Sequence, residues 1–213
     1  MKMHALRCNE IAFNFYAALF FTFALNAVFL LHAWEMLPYV SLKDYIFAAT
    51  LPLVLFSAFL FVFSLTALPW IRKPLLILLV VASAIANYFM FSFGPVIDSA
   101  VIQNMLENDL EDATALFNLR SFLWFSLPGL VAALLICQVK IGTSHPWWMN
   151  LAFRTSSALA AVLLVLLVAA LFYKNYASLV RNNPCLIEMI TPANIVSGIQ
   201  NYADERWLSG GQP

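Results

Sequence analysis

The chain has 213 residues, 63% of them hydrophobic and only 10% charged, with eleven basic and eleven acidic side chains and no net charge. A soluble domain carries roughly 25% charged residues. A chain this apolar, with 19 Phe, is excluded from soluble globules and disordered regions, and without a basic patch to neutralise phosphates it is no nucleic-acid binder. The remaining class is an all-α membrane protein that crosses the bilayer several times.

A helix needs about 20 apolar residues to cross the hydrocarbon. Five stretches qualify, at about 11–31, 45–68, 75–93, 122–138 and 155–173. The first has too long an apolar core for a cleaved leader and no A-x-A site after it, so it reads as an uncleaved signal anchor. Pro69 and Pro74 bracket a tight turn that makes the second and third spans an antiparallel hairpin. The fourth is the shortest and contains Pro128-Gly129, which predicts a kink. Asn14, Asn26 and Asn87 fall inside spans, where amides link helices by hydrogen bonds. The six Trp lie near span ends or in loops and read as interfacial anchors.

Lys and Arg in the short loops set the orientation. With the N-terminus in the cytoplasm, Lys2, Arg7, Arg72, Lys73, Lys140 and Arg154 lie inside with Glu10 as the sole acid, a net +5. The other five basic and ten acidic residues lie outside, a net −5. After five crossings the C-terminus is outside.

Two outer segments are too patterned to be mere connectors. Gly94-Pro95 ends the third span, and Asp98-Ser99 can cap a new helix. From Ala100 to Phe117 there is no Gly or Pro, and apolar residues recur at three and four. That predicts an amphipathic helix over about 99–117, lying on the membrane surface. Asn104, Asn108 and Asp112 share one side of it. The plain reading of that row is a solvated face. The functional one is a polar platform that accepts from a phospholipid ammonium, while Arg120, Lys174 and Arg181 meet a phosphate. The second segment follows the last span. It has a helix start at Thr191-Pro192 and a polar end, 204–213, that reads as a linker where another domain begins. The division expected is a five-span domain over 1–176 and a bridging segment over 177–213.

Metal and nucleophile motifs are missing from the sequence. His4, His32 and His145 have no ligand spacing, and topology separates Cys185 from Cys8 and Cys137, which leaves three free thiols. There is no Gly-rich phosphate loop and no Ser–His–Asp or Cys–His pattern.

The outer segments also carry a family resemblance. Asn87-Tyr88-Phe89, Phe93-Gly94-Pro95-Val96-Ile97-Asp98 and Gln103-Asn104 resemble the bacterial phosphoethanolamine transferases that modify lipid A. So do Tyr173-Lys174-Asn175-Tyr176-Ala177-Ser178, Arg181-Asn182-Asn183, Pro192-Ala193-Asn194 and the turn Arg72-Lys73-Pro74. The mobile colistin-resistance enzymes belong to that family. The resemblance spans essentially the whole chain.

It implies a five-helix domain in the bacterial inner membrane with periplasmic amphipathic and bridging helices. An alkaline-phosphatase-like catalytic domain, absent from this chain, would hold a threonine nucleophile and zinc. The enzyme would move phosphoethanolamine from phosphatidylethanolamine to a lipid A phosphate, which weakens polymyxin and colistin binding. By resemblance this chain has no metal site, no catalytic residue and no turnover of its own. It would bind the donor lipid through Asn104, Asn108, Asp112, Lys174 and Arg181. The family's row is Asn, Thr, Glu at four-residue spacing. Asn104 matches it, Asn108 stands for the threonine and Asp112, a carbon shorter, for the glutamate. Two other readings use the same residues: a non-catalytic five-span assembly protein, or a transferase acting on another acceptor sugar.

Overall fold

The structure, a computed structural model, describes residues 7–68, 70–93, 119–142, 146–198 and 200. Strand β1 (Arg7–Asn9) leads into helix α1 (Glu10–Phe20), a π-helical segment (Phe21–Leu25) and helix α2 (Ala27–Glu35). Helices α3 (Leu42–Leu65), α4 (Arg72–Phe93) and α5 (Leu119–Gln138) follow. Strand β2 (Lys140–Gly142), helix α6 (Trp147–Asn182) and a 3-10 helix (Pro184–Met189) complete the order, and residues 193–198 are helical. The expected surface helix 99–117 and linker 204–213 lie outside the described residues, as do Pro69, His4, His145 and Trp207.

Leu42–Leu65, Arg72–Met90 and Trp147–Asn182 are each long and apolar enough to cross a membrane. The pair Glu10–Leu25 and Ala27–Glu35, bent by 57°, makes a fourth if it crosses as one. The apolar stretch found within α5, Ser126–Gln138, is shorter. The helices pack α3 along α6 and α4 along α5, and a ring cluster of Phe21, Phe59 and Phe63, with centroids 5.0–5.8 Å apart, fastens the π segment to α3. The outer face of α6 exposes Leu159, Leu163, Leu166, Leu167 and Leu171, the pattern of a helix side meant for lipid.

Three features depart from the expectation. The fold is not purely helical: β1 pairs in parallel with β2, Arg7 opposite Lys140 and Asn9 opposite Gly142. Helix α6 is far longer than 155–173 and runs on through 176, with one non-helical residue at Phe172 (φ −124°, ψ 18°). The stretch expected as one span over 11–31 is two helical pieces, Glu10–Leu25 and Ala27–Glu35, that meet at a bend.

Backbone groups that would be orphaned in hydrocarbon have partners. Pro52 inside α3 lacks the N–H that would bond the carbonyl four residues before it, that of Ala48. Trp34 Nε1 donates to that oxygen at 3.0 Å. This Trp is therefore more than an interfacial anchor, whereas Trp70 and Trp147 are 90% and 78% exposed. At the end of α5, Lys73 Nζ donates to the carbonyls of Cys137 (3.3 Å) and Val139 (2.6 Å), where helical carbonyls run out of N–H partners.

Helices α4 and α5 approach too closely for larger residues. A Cβ on Gly129 would stand 2.5 Å from the Ala84 Cβ. Small residues are what permit such contacts between membrane helices. Gly129→Val is expected to destabilise the full-length protein by about 1–3 kcal/mol, and adding Ala84→Gly to recover part of the loss. Thermal melts of the two variants in detergent check both statements.

Candidate functional site

The end of the bundle away from β1 and β2 is built on the break in the first span. Asn26 leaves the helical region (φ −117°, ψ 23°), and the chain turns there from the π segment into α2. The Leu25 carbonyl accepts from Asn87 Nδ2 and from Thr191 Oγ1, each at 2.7 Å. The Asn26 amide works in both directions. Its Nδ2 donates to the Phe21 and Thr191 carbonyls at 2.9 Å, and its Oδ1 accepts from the Thr191 N–H at 2.8 Å. Asn26 and Thr191 are 1% and 0% exposed. The segment after α6 is thereby fixed into the bundle at the bend. Asn194 extends this contact, donating to Met90 Sδ at 3.6 Å and accepting from the Ile195 N–H at 2.9 Å.

Helix α6 reaches this region by continuing beyond Phe172. The ring of Phe172 lies 5.7 Å from that of Phe47 on α3, and Tyr176 meets Phe47 edge to face at 4.9 Å. The Tyr176 hydroxyl shares a hydrogen bond with Thr50 Oγ1 at 3.0 Å. One side of the extension is thus pinned to α3. Lys174 and Arg181, both exposed, stand seven residues apart on another side. That is nearly two helical turns, a rise of about 10.5 Å, so they share one face. Neither has an ion pair among the described residues.

The structure therefore places Lys174 and Arg181 together. Asn104, Asn108 and Asp112 lie outside the described residues. Among the described residues no three His, Cys, Asp or Glu side chains gather into a metal-binding group.

The sequence reading missed Glu10. It is 3% exposed, and its Oε1 accepts from Arg72 Nη2 and from Arg154 Nε. Arg72, itself 4% exposed, also donates to the Ala67 carbonyl at 2.6 Å. This ion-paired group joins α1, α4 and α6 at the end that carries β1 and β2. Its members are 62 and 144 residues from Glu10 in the chain. The only sequence signal was that Glu10 stood alone among basic loop residues.

An exposed pair of cations on a helix continued past a membrane-embedded bundle, with a following segment locked into that bundle, defines a polytopic membrane domain that presents a polar surface at one end. The family model for phosphoethanolamine transferase EptA/EptB matches residues 55–207, and the chain belongs to this family. It is 35% identical over 199 residues to phosphoethanolamine transferase EptA of Escherichia coli K12, covering 93% of this chain and 36% of that protein. It is 28% identical over 169 residues to phosphatidylethanolamine transferase Mcr-1 of Escherichia coli, covering 78% of this chain and 31% of that one. The solved structure of the lipooligosaccharide phosphoethanolamine transferase A of Neisseria meningitidis superposes with a TM-score of 0.84 at 29% identity, over 98% of this chain and 38% of that one. The chain thus spans about a third of the length of these relatives.

The Asn26–Thr191 pair makes a direct prediction. Asn26→Leu leaves the buried N–H and C=O of Thr191 without their partner, at a cost of about 2–5 kcal/mol. In the full-length protein this is expected to free the segment after α6, read as faster proteolytic cleavage between Asn183 and Tyr202 at unchanged membrane insertion.

Proposed function

We propose that the chain is the membrane domain of an enzyme that transfers phosphoethanolamine from phosphatidylethanolamine to a phosphate of lipid A. In this reading it crosses the bacterial inner membrane five times, α5 supplying the fourth crossing, with its N-terminus in the cytoplasm. Residues 1–176 form the spanning domain and 177–213 bridge to a periplasmic catalytic domain. That domain would hold the threonine nucleophile and zinc, so no chemical step is assigned to this chain and turnover needs both parts. The EptA and Mcr-1 relatives, of which this chain spans about a third, are the grounds for the activity.

The observation that carries the reading is the pair Lys174 and Arg181, exposed on one face of α6 beyond Phe172. A guanidinium contacts phosphate oxygens two at a time, and an ammonium acts as a point charge. The donor headgroup is zwitterionic, so it also needs acceptors for its own ammonium. We assign these to Asn104, Asn108 and Asp112, whose amide and carboxylate oxygens suit that role. The shorter Asp112 would reach less far than a glutamate. The membrane domain would contribute by proximity. Holding the phosphodiester at the membrane surface beside a nucleophile from the other domain turns a bimolecular encounter into a positioned one.

The test uses the full-length enzyme expressed in a polymyxin-sensitive host. Arg181→Ala or Asn104→Ala is expected to lower phosphoethanolamine on lipid A, read by mass spectrometry, by at least about tenfold, the equivalent of one lost charge-assisted hydrogen bond. Lys174→Arg, which keeps the charge, is expected to retain most of the activity. Unchanged modification in Arg181→Ala and Asn104→Ala at equal expression would sink the site assignment. Absence of any lipid A modification by the unaltered enzyme would sink the acceptor.

A further inference from the structure

At the end of the bundle opposite the proposed headgroup surface, a small cavity lies between α1, α3 and α6. Its walls include Glu10 and Asn14 from α1, Leu60 and Ser64 from α3, and Arg154 and Ser157 from α6. The space open to a water-sized sphere is about 10 Å³, roughly what one water needs. Three of the wall residues are almost fully buried, Glu10 and Asn14 at 3% and Ser64 at 4% exposed. Each contributes one buried atom with no hydrogen-bond partner among the described residues: Glu10 Oε2, Asn14 Oδ1 and Ser64 Oγ. Three orphaned polar atoms on residues that line one cavity are unusual in a folded protein, where such groups find partners in protein or ordered water.

We propose that this cavity is a binding site for one ordered water molecule that ties α1 to α3 beside the Glu10 ion pairs. The chemistry of the three atoms selects the occupant. A carboxylate oxygen and an amide carbonyl oxygen only accept, and a hydroxyl can donate. Water has two protons for the two acceptors and a lone pair for the hydroxyl, so its hydrogen-bonding capacity matches the three atoms. An anion is rejected by the two acceptor oxygens. A metal cation is rejected by the local charge, because Oε1 of the same carboxylate already faces the guanidiniums of Arg72 and Arg154. The water also gives Glu10 a full set of partners. Two cations hold one oxygen and the solvent molecule holds the other.

The proposal predicts the sign of a mutational effect. If the cavity were dry, Ser64→Ala would remove an unsatisfied buried hydroxyl and raise the melting midpoint. With water present, Ser64→Ala removes a real hydrogen bond, and the midpoint of the full-length protein in nanodiscs is expected to fall by several degrees. Asn14→Ala is expected to do the same, and the double variant to fall by less than the two separate shifts together, because both act through the same molecule. Midpoints are expected to match in sodium, potassium and choline chloride. A density peak within hydrogen-bond distance of Oε2, Oδ1 and Oγ in a high-resolution map of the full-length protein is the direct support, and it serves even where a variant fails to fold. A rise with Ser64→Ala, strictly additive shifts, selective stabilisation by sodium or potassium, or an empty cavity in such a map would each overturn it.

Discussion

The structure hangs on the reciprocal hydrogen bonding between the side-chain amide of Asn26 and the backbone of Thr191. Hydrocarbon offers no water to a broken helix, so a bend inside a span survives only if protein groups satisfy what the bend exposes. Asn26 does this locally through the Phe21 carbonyl and at long range through Thr191, while Asn87 and the Thr191 hydroxyl complete the Leu25 carbonyl. Three parts of the chain, the first span, α4 and the segment after α6, are thereby held to one point. The helical residues 193–198 follow on from a position that this point defines, with Asn194 still packed against α4.

The opposite end uses charge where this one uses amides. Glu10 joins Arg72 and Arg154, and strand β1 of the short β1–β2 pair directly precedes Glu10 in the chain. A buried carboxylate is costly unless its charge is opposed and its oxygens are hydrogen-bonded. Two guanidiniums supply the opposition here. The bundle is thus fastened at both ends by polar contacts, with an apolar middle of Phe and Leu between them. In lipid, apolar packing between helices has no hydrophobic driving force behind it, so the polar fastenings carry much of the specificity.

Much of this was legible in the residues. Long apolar runs located the helices, because a span is defined by length and hydropathy alone. Asn26 and Asn87 were identifiable as helix-linking amides for the same reason: a polar group in a span has to find a partner. Asn14 does not fit that rule in the same way, since its Oδ1 has no partner among the described residues. Pairings between distant positions were not legible. Nothing local ties Glu10 to Arg154, or the Trp34 indole to the carbonyl that Pro52 leaves free. The bend at Asn26 carries no Pro or Gly to announce it. Strands of three residues are too short for alternation to be read. The reach of α6 was underestimated because hydropathy falls after Tyr173 while the helix does not stop there. Once it continues, simple counting puts Lys174 and Arg181 on one face.

The β1–β2 pair has a consequence for how the chain is made. Membrane helices enter the bilayer in order as they leave the ribosome, yet Arg7 to Asn9 pair with Lys140 to Gly142, a partner synthesised only after α5. Residues 7–9 therefore wait, unpaired, until residues 140–142 have been made, and Glu10 beside them waits longer still for Arg154. Strand β1 is made before every helix of the bundle and seated only after α5, so closing that rim reports that the chain has been made as far as α6.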